Sequence, residues 1–131
     1  MRGFALSSLV IMVALLASGC SGGDTAESVA KDMVANMKEM GSILTSVTDE
    51  ASAKAALPKI DAVRAKMRDC ATRAKAAPKI DGATEAKINE MMQAGMTEAM
   101  GSIVAAQQRL AGQPELMAIL QPALEGMEND L

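Results

Sequence analysis

The chain has 131 residues, 50% of them hydrophobic, and a formal net charge of −3. It contains no histidine, tryptophan or tyrosine, and its one phenylalanine is Phe4. It therefore lacks the imidazole that serves as general base or metal ligand and the aromatic surfaces on which bases stack. Acidic and basic residues are mixed without a basic patch, so we expect no nucleic-acid partner. No serine or threonine has a base to activate it, so we expect no enzyme, catalytic residue or cofactor.

The first twenty residues have the layout of an export signal. Arg2 supplies a positive start, an uncharged apolar run covers residues 4–16, and Ala17-Ser18-Gly19 is a small-residue cleavage site. The apolar run is shorter than the ~20 residues that span a bilayer. An ordinary signal peptide and a short membrane helix, each with an unrelated cysteine after it, are the alternatives.

Residues 1–20 resemble the lipobox of bacterial lipoproteins, because Cys20 directly follows the small residues. The resemblance implies that residues 1–19 are removed and that Cys20 is the lipidation site, carrying a diacylglycerol and an N-acyl chain such as palmitate. Residues 20–24 then form the lipid-attachment cysteine and a flexible tether. The protein is expected in the cell envelope, with the membrane as partner through its lipid anchor. Ser21, where an aspartate would signal retention, indicates the outer membrane, facing the periplasm.

The first two helices are predicted from apolar residues at spacings of three and four. Helix one covers residues 25–47, with Asp24 as N-cap and Glu27 completing a capping box. Helix two covers residues 49–76 with a kink at Pro58, because its stripe keeps one phase on both sides of the proline. The stripes consist of Val29, Met33, Met37, Met40, Leu44 and Val47, and of Ala53, Leu57, Ile60, Val63, Met67, Cys70 and Ala74.

The third helix is predicted over Gly82–Ala111, with Asp81 as its cap. Gly95 and Gly101 lie inside it, and each costs ~1 kcal/mol relative to alanine. We therefore expect both glycines to permit close approach of a neighbouring helix. Its stripe consists of Ile88, Met92, Met96, Ala99, Ile103, Ala106 and Leu110.

A fourth, shorter helix begins with Pro114 at its first position and is interrupted or kinked at Pro122. Its stripe consists of Leu116, Leu120, Leu124 and Met127. Short turns join all four helices, so we predict an all-α fold over residues 25–131. Its architecture is an antiparallel up-down bundle of three long helices plus a shorter C-terminal helix.

Methionine is the unusual component, since the chain contains 12 of them and ten follow residue 19. Met33, Met37 and Met40 form one group, and Met92, Met96 and Met100 another. We expect most of them in the core, because methionine adapts to irregular gaps in a bundle without large aromatics. Two alternatives stay open. Thioethers that converge on one point bind Cu(I), and a methionine-rich groove binds an apolar partner.

Cys70 is the only other cysteine besides Cys20. Its place on the apolar stripe favours an inert buried thiol over an intermolecular disulfide. The carboxylates Glu85, Glu90 and Glu98 indicate a solvated face, because a di-iron bundle of the ferritin type also requires histidine. We therefore expect no metal site of carboxylates.

Residues 29–81 resemble the first helical hairpin of periplasmic b-type four-helix-bundle cytochromes. In that family a methionine of the first helix and a histidine of the last ligate haem, and Met33 occupies the place of the methionine. The chain has no histidine, so the resemblance supports the bundle and not the haem. The residues that carry it are Met33, Leu44, Ala53-Lys54-Ala55-Ala56-Leu57, Arg64-Ala65 and Lys75-Ala76-Ala77-Pro78-Lys79.

These observations predict a membrane-anchored, extracytoplasmic and non-catalytic helical bundle that binds a protein or another envelope component. The alternative is a small-ligand or Cu(I) carrier that uses the methionine-rich interior. An oligomer is compatible with either function.

Overall fold

A computed structural model describes residues 25–128. Within that range the chain forms four α-helices and no strand: α1 (Ala26–Ser46), α2 (Glu50–Ala76), α3 (Gly82–Ala111) and α4 (Pro114–Glu128). The predicted all-α fold with three long helices and a shorter C-terminal one is confirmed. The predicted signal peptide, Cys20 and its tether lie outside the described residues.

The α1 N-cap is Thr25, so the prediction of Asp24 as the cap is wrong. The Thr25 hydroxyl accepts a hydrogen bond from the Ser28 backbone N–H at 3.1 Å, and the Ser28 hydroxyl donates to the Thr25 carbonyl at 2.9 Å. Glu27 therefore lies too early for the predicted capping box and instead pairs with Lys31 at 2.8 Å. Threonine competes well for this position because its hydroxyl reaches the same backbone N–H groups.

The α2 N-terminus is a reciprocal capping box. The Asp49 carboxylate accepts from the Ser52 N–H at 2.7 Å, and the Ser52 hydroxyl accepts from the Asp49 N–H at 2.9 Å. Helices α2 and α4 continue through Pro58 and Pro122, so the predicted interruption at Pro122 is not found. Both prolines are exposed, where water can serve the backbone carbonyl that each leaves without an N–H partner.

Helix α1 lies between α2 and α3. It runs antiparallel to α2, since Asn36 contacts Cys70 and Asp32 pairs with the later Arg73. The backbones of α2 and α3 make no contact with each other over residues 25–128, and α4 packs against both of them. The helices therefore occupy the four corners of a bundle, with α1 diagonal to α4.

The chain reverses direction between α1 and α2 and again between α2 and α3, so α1 and α3 run parallel. Lys38 pairs with Glu98 at 2.6 Å, and Glu27, about three turns nearer the N-terminus of α1, pairs with Lys87 at 3.6 Å. This parallel register sets the two predicted methionine groups side by side.

Glycine sets the distance between α1 and α3. A Cβ on Gly95 would come within 3 Å of both Val34 methyl groups, 2.9 Å from Cγ2 and closer to Cγ1, and a Cβ on Gly41 would lie 3.1 Å from that of Ser102. The prediction for Gly95 is therefore confirmed. The prediction for Gly101 is wrong, because nothing lies within 4 Å of its Cβ position and the residue is exposed.

The best-buried part of the core lies at the end of the bundle that contains all four helices. Arg109 of α3 crosses to the C-terminus of α1 there and donates from Nη2 to the carbonyls of Leu44 and Thr45, each at 3.1 Å. The Leu44 carbonyl also accepts from the Val47 N–H at 3.3 Å, so Arg109 adds a second donor there. Its positive charge interacts favourably with the C-terminal end of the α1 dipole. The largest side chains of the core are each at most 1% exposed: Met40, Leu44, Ile60, Leu110 and Leu120.

Candidate binding groove

One side of α1 is apolar and faces neither α2 nor α3. Asp32 and Asn36 point to α2, whereas Val34 lies against α3, on nearly the opposite side of a helix that turns ~100° per residue. Met33 and Met37 lie between these two directions. They face the corner of the bundle that α4 occupies nearer the C-terminus of α1.

Helix α4 fills only about half of that corner. Near its end, the Arg64 guanidinium lies so close to Gly126 that a Cβ there would be 2.6 Å from Cζ. Arg64 is close to the middle of α2, which continues to Ala76. From Arg64 to Ala76 is about 18 Å at the helical rise of 1.5 Å per residue. Helix α4 continues for two residues past Gly126, so about 15 Å of this length lies beyond its end. Over that part, among the described residues, no helix lies between α2 and α3.

The burial of the apolar side chains decreases at the level where α4 ends. Met40 and Leu44 on α1 are each 1% exposed, whereas Met33 and Met37, in the middle of the same stripe, are only half-buried. At the N-terminal end of the stripe Val29 is buried again, at 3% exposed. The apolar positions of α2 and α3 on this side are half-buried in the same way. We call this surface the methionine groove; its residues are Met33, Met37, Met67, Ala71, Met92 and Met96.

The methionines of the two predicted groups thus lie in different environments. Met40 belongs to the core as expected, and Met100 is 45% exposed, whereas the other four methionines line the groove. Met37 and Met96, expected with most of the methionines in the core, are half-buried. Their stripe has the correct phase, but α4 is too short to cover it.

A second recess, the α4 cleft, lies below the methionine groove between α1, α3 and α4. Its volume is about 540 Å³, and four methionine side chains line it. Met117 and Met127 of α4 are not among the predicted methionine groups, because they come near α1 and α3 only when α4 folds back along the bundle. The lining residues are Met40, Leu44, Met100, Ile103, Gln107, Met117, Gln121, Leu124, Glu125 and Met127.

Cys70 lies at the α1–α2 interface, away from the groove. Its side chain is 2% exposed, and the Asn36 amide donates to Sγ at 3.4 Å. Burial raises the pKa of the Cys70 thiol, which keeps it protonated and a weak nucleophile at neutral pH. The geometry therefore agrees with the predicted inert thiol.

The charged side chains beside the methionine groove differ between its two walls. On α2, Arg64, Arg68 and Lys75 follow one helical stripe, and the contact of Arg64 with Gly126 shows that this stripe faces the α4 corner. The corresponding edge of α3 carries the neutral Asn89 and Gln93. The α2 edge carries these three cations, of which Arg64 is paired with Asp61 at 3.3 Å. The α3 edge is uncharged until the end of the groove, where Glu85 lies.

The other predicted site residues do not converge. Glu85, Glu90 and Glu98 are exposed, and residues 25–128 contain no cluster of histidine, cysteine, aspartate and glutamate that could hold a metal ion. Met33, the residue expected at the haem-ligand position from the resemblance to b-type cytochromes, lies half-buried in the methionine groove. None of the four described helices is long and apolar enough to cross a membrane.

In comparisons with known proteins, the chain matches no family model, no curated protein and no solved structure.

Proposed function

We propose that this protein is a bacterial lipoprotein, anchored through Cys20 to the outer membrane and facing the periplasm, whose bundle binds an envelope protein without catalysing a reaction. The observation that carries the binding function is the methionine groove, where an apolar corner of the bundle continues for about 15 Å beyond the end of α4.

Methionine suits such a surface. Its unbranched, polarisable side chain repacks against differently shaped apolar partners. The groove side chains are half-buried. A partner helix would pack on them as α4 packs on the other half of the bundle. The bundle would then gain a fourth helix along its whole length.

The position of the proposed anchor agrees with this function. Helix α1 begins after Thr25, at the end of the bundle where α2 ends and α3 begins. The five residues from Cys20 to Thr25 can extend at most about 18 Å. A lipid on Cys20 would therefore hold the groove end of the bundle close to the membrane, within reach of proteins in the same membrane.

The anchor is tested by metabolic labelling with an alkyne fatty acid, followed by membrane fractionation. The two cysteines of the chain provide a matched pair. We expect the wild type and Cys70→Ala to take up label and sediment with membranes, and Cys20→Ala to do neither. Equal labelling of Cys20→Ala, or an unlabelled wild type, would contradict the lipoprotein assignment.

The second candidate function, a small-ligand or Cu(I) carrier, has the α4 cleft in its favour, since four thioethers line one recess. The same arrangement follows from packing alone. We therefore predict that replacing Met100, Met117 and Met127 together by leucine leaves Cu(I) affinity unchanged, measured by competition with a chromogenic Cu(I) chelator under reducing conditions. A stoichiometric site in the wild type that the leucine variant lacks would favour the carrier instead.

A further inference from the structure

We propose that the α2–α3 loop, residues 77–81, contacts the phospholipid bilayer that holds the lipid anchor. In this contact Ile80 enters the headgroup region, and Lys75 and Lys79 lie against anionic headgroups. The contact depends on the proposed anchor at Cys20 and fixes which end of the bundle faces the membrane. The position of the loop, its exposed apolar side chain and its unpaired cations carry this proposal.

The loop lies at the end of the bundle that the anchor would hold. Helix α2 ends at Ala76 and α3 begins at Gly82. Glu27, in the first turn of α1, pairs with Lys87 of α3, so the loop lies level with the start of α1. The five residues that join Cys20 to α1 extend at most about 18 Å, which brings the loop within reach of the bilayer surface.

Ile80 is an exposed apolar side chain at this end. It is 37% exposed, and the other exposed large hydrophobic residues within 25–128, Met100 and Val104, lie on α3 far from the loop. Pro78 and Ala83 beside Ile80 are exposed as well. A bilayer surface would remove these side chains from water, so the hydrophobic effect favours the insertion of the loop.

Two lysines without an ion pair flank Ile80. Lys75 and Lys79 are exposed and pair with no carboxylate among residues 25–128, whereas every other lysine there except Lys59 does. Of the acids at this end, Asp81 is engaged as the α3 cap, and Glu85 lies beside the methionine groove. Lysines near a membrane surface are attracted to anionic lipids, and the attraction falls off within about 10 Å.

Tryptophan fluorescence in vesicles tests the contact, because the chain contains no tryptophan or tyrosine. One reporter variant is Ala83→Trp, beside the loop, and its matched control is Thr48→Trp, at an exposed position of the opposite end. Each full chain, isolated as cells make it, is incorporated into vesicles of phosphatidylcholine with or without phosphatidylglycerol, whose acyl chains carry bromine near the headgroup. Sedimentation with the vesicles shows that the chain is anchored.

Bromine in the bilayer quenches tryptophan only at close range, so the two reporters should differ. We expect quenching of Ala83→Trp to be at least about twice that of Thr48→Trp, and to decrease when phosphatidylglycerol is omitted. In the Ala83→Trp chain, Ile80→Gln should reduce the quenching about twofold or more. Val104→Gln is the matched control, because Val104 is also exposed but distant from the loop, and it should leave the quenching unchanged.

Charge reversal tests the role of the lysines. In the Ala83→Trp chain, Lys75→Glu and Lys79→Glu should each reduce the quenching that phosphatidylglycerol adds about twofold or more. Lys59→Glu is the matched control, because Lys59 is also unpaired but lies about 24 Å from Lys75 along α2, beyond the range of the surface charge. Circular dichroism checks that each variant is folded.

The loop contact is refuted by equal quenching of the two reporters, by no quenching at position 83 or by equal losses in Ile80→Gln and Val104→Gln. It is also refuted if neither phosphatidylglycerol nor the lysine variants change the quenching. A chain that sediments with the vesicles and gives one of these results refutes the loop contact alone. A chain that does not sediment refutes the proposed anchor and the loop contact with it.

Discussion

Replacing Gly95 by alanine should destabilise the bundle, although alanine is the better helix former. The exchange gains about 1 kcal/mol of helix propensity. The new Cβ would come within 3 Å of both Val34 methyl groups. Val34 cannot simply rotate away, because a β-branched residue has one strongly preferred rotamer in a helix. Helices α1 and α3 must therefore move apart.

The cost of overpacking, ~1–3 kcal/mol, and the loss of neighbouring α1–α3 packing should exceed the propensity gain. We expect a net loss of about 1–2 kcal/mol in the free energy of unfolding. It is measured by urea denaturation followed by far-ultraviolet circular dichroism, on the chain from Ser21 onward.

Two further variants test the cause of this loss. Gly101→Ala makes the same exchange on the same helix where nothing lies within 4 Å, so it should stabilise by about 0.5–1 kcal/mol. Adding Val34→Ala to Gly95→Ala should recover part of the loss, because the clashing methyl groups are removed. Equal stabilisation by Gly95→Ala and Gly101→Ala would refute the close approach of α1 and α3.

Three other predictions concern burial and capping. Met40→Ala should cost ~2–5 kcal/mol and Met100→Ala under ~0.5 kcal/mol, by the same denaturation assay, since Met40 is 1% and Met100 45% exposed; equal losses would contradict this. The Cys70 thiol should react with iodoacetamide only after urea is added, as mass spectrometry would show; rapid alkylation of the folded chain would place it at the surface. Hydrogen bonds to backbone N–H groups lower the pKa of Asp81 below its ordinary 3.8, so the stability it contributes is present above that pH and is lost as the pH falls through the lowered pKa. Asp81→Asn, still a good cap, should reduce the acid-induced fall in melting temperature, and an unchanged fall would refute the role of Asp81.

The helices could be predicted well from the sequence because their signals are local. Asp81 and Gly112 bound α3 as expected, since a cap needs only the residues beside it. The Thr25 cap was missed for the same physical reason, because two adjacent residues can both cap and their relative strength depends on the geometry of the turn. The periodicity through Pro58 was informative because burial continues on both sides of it.

Features that depend on contacts between helices could not be predicted in the same way. Glycine at positions 95 and 101 looks identical in sequence, and only the helix facing Gly95 distinguishes them. Met37 and Met40 share a stripe, yet their burial differs because of where α4 ends, about ninety residues later. Arg109 as a cap for α1 has no local signal, because its partners are carbonyls of another helix.

The most direct test of the proposed binding function is photocrosslinking in living cells from a photoreactive amino acid placed in the methionine groove. The full-length protein carries it at position 96 or, as the matched control, at position 91. We expect a discrete crosslinked product from position 96 alone, containing an envelope protein that mass spectrometry identifies. The same product from both positions, or none from position 96, would contradict a function based on the methionine groove.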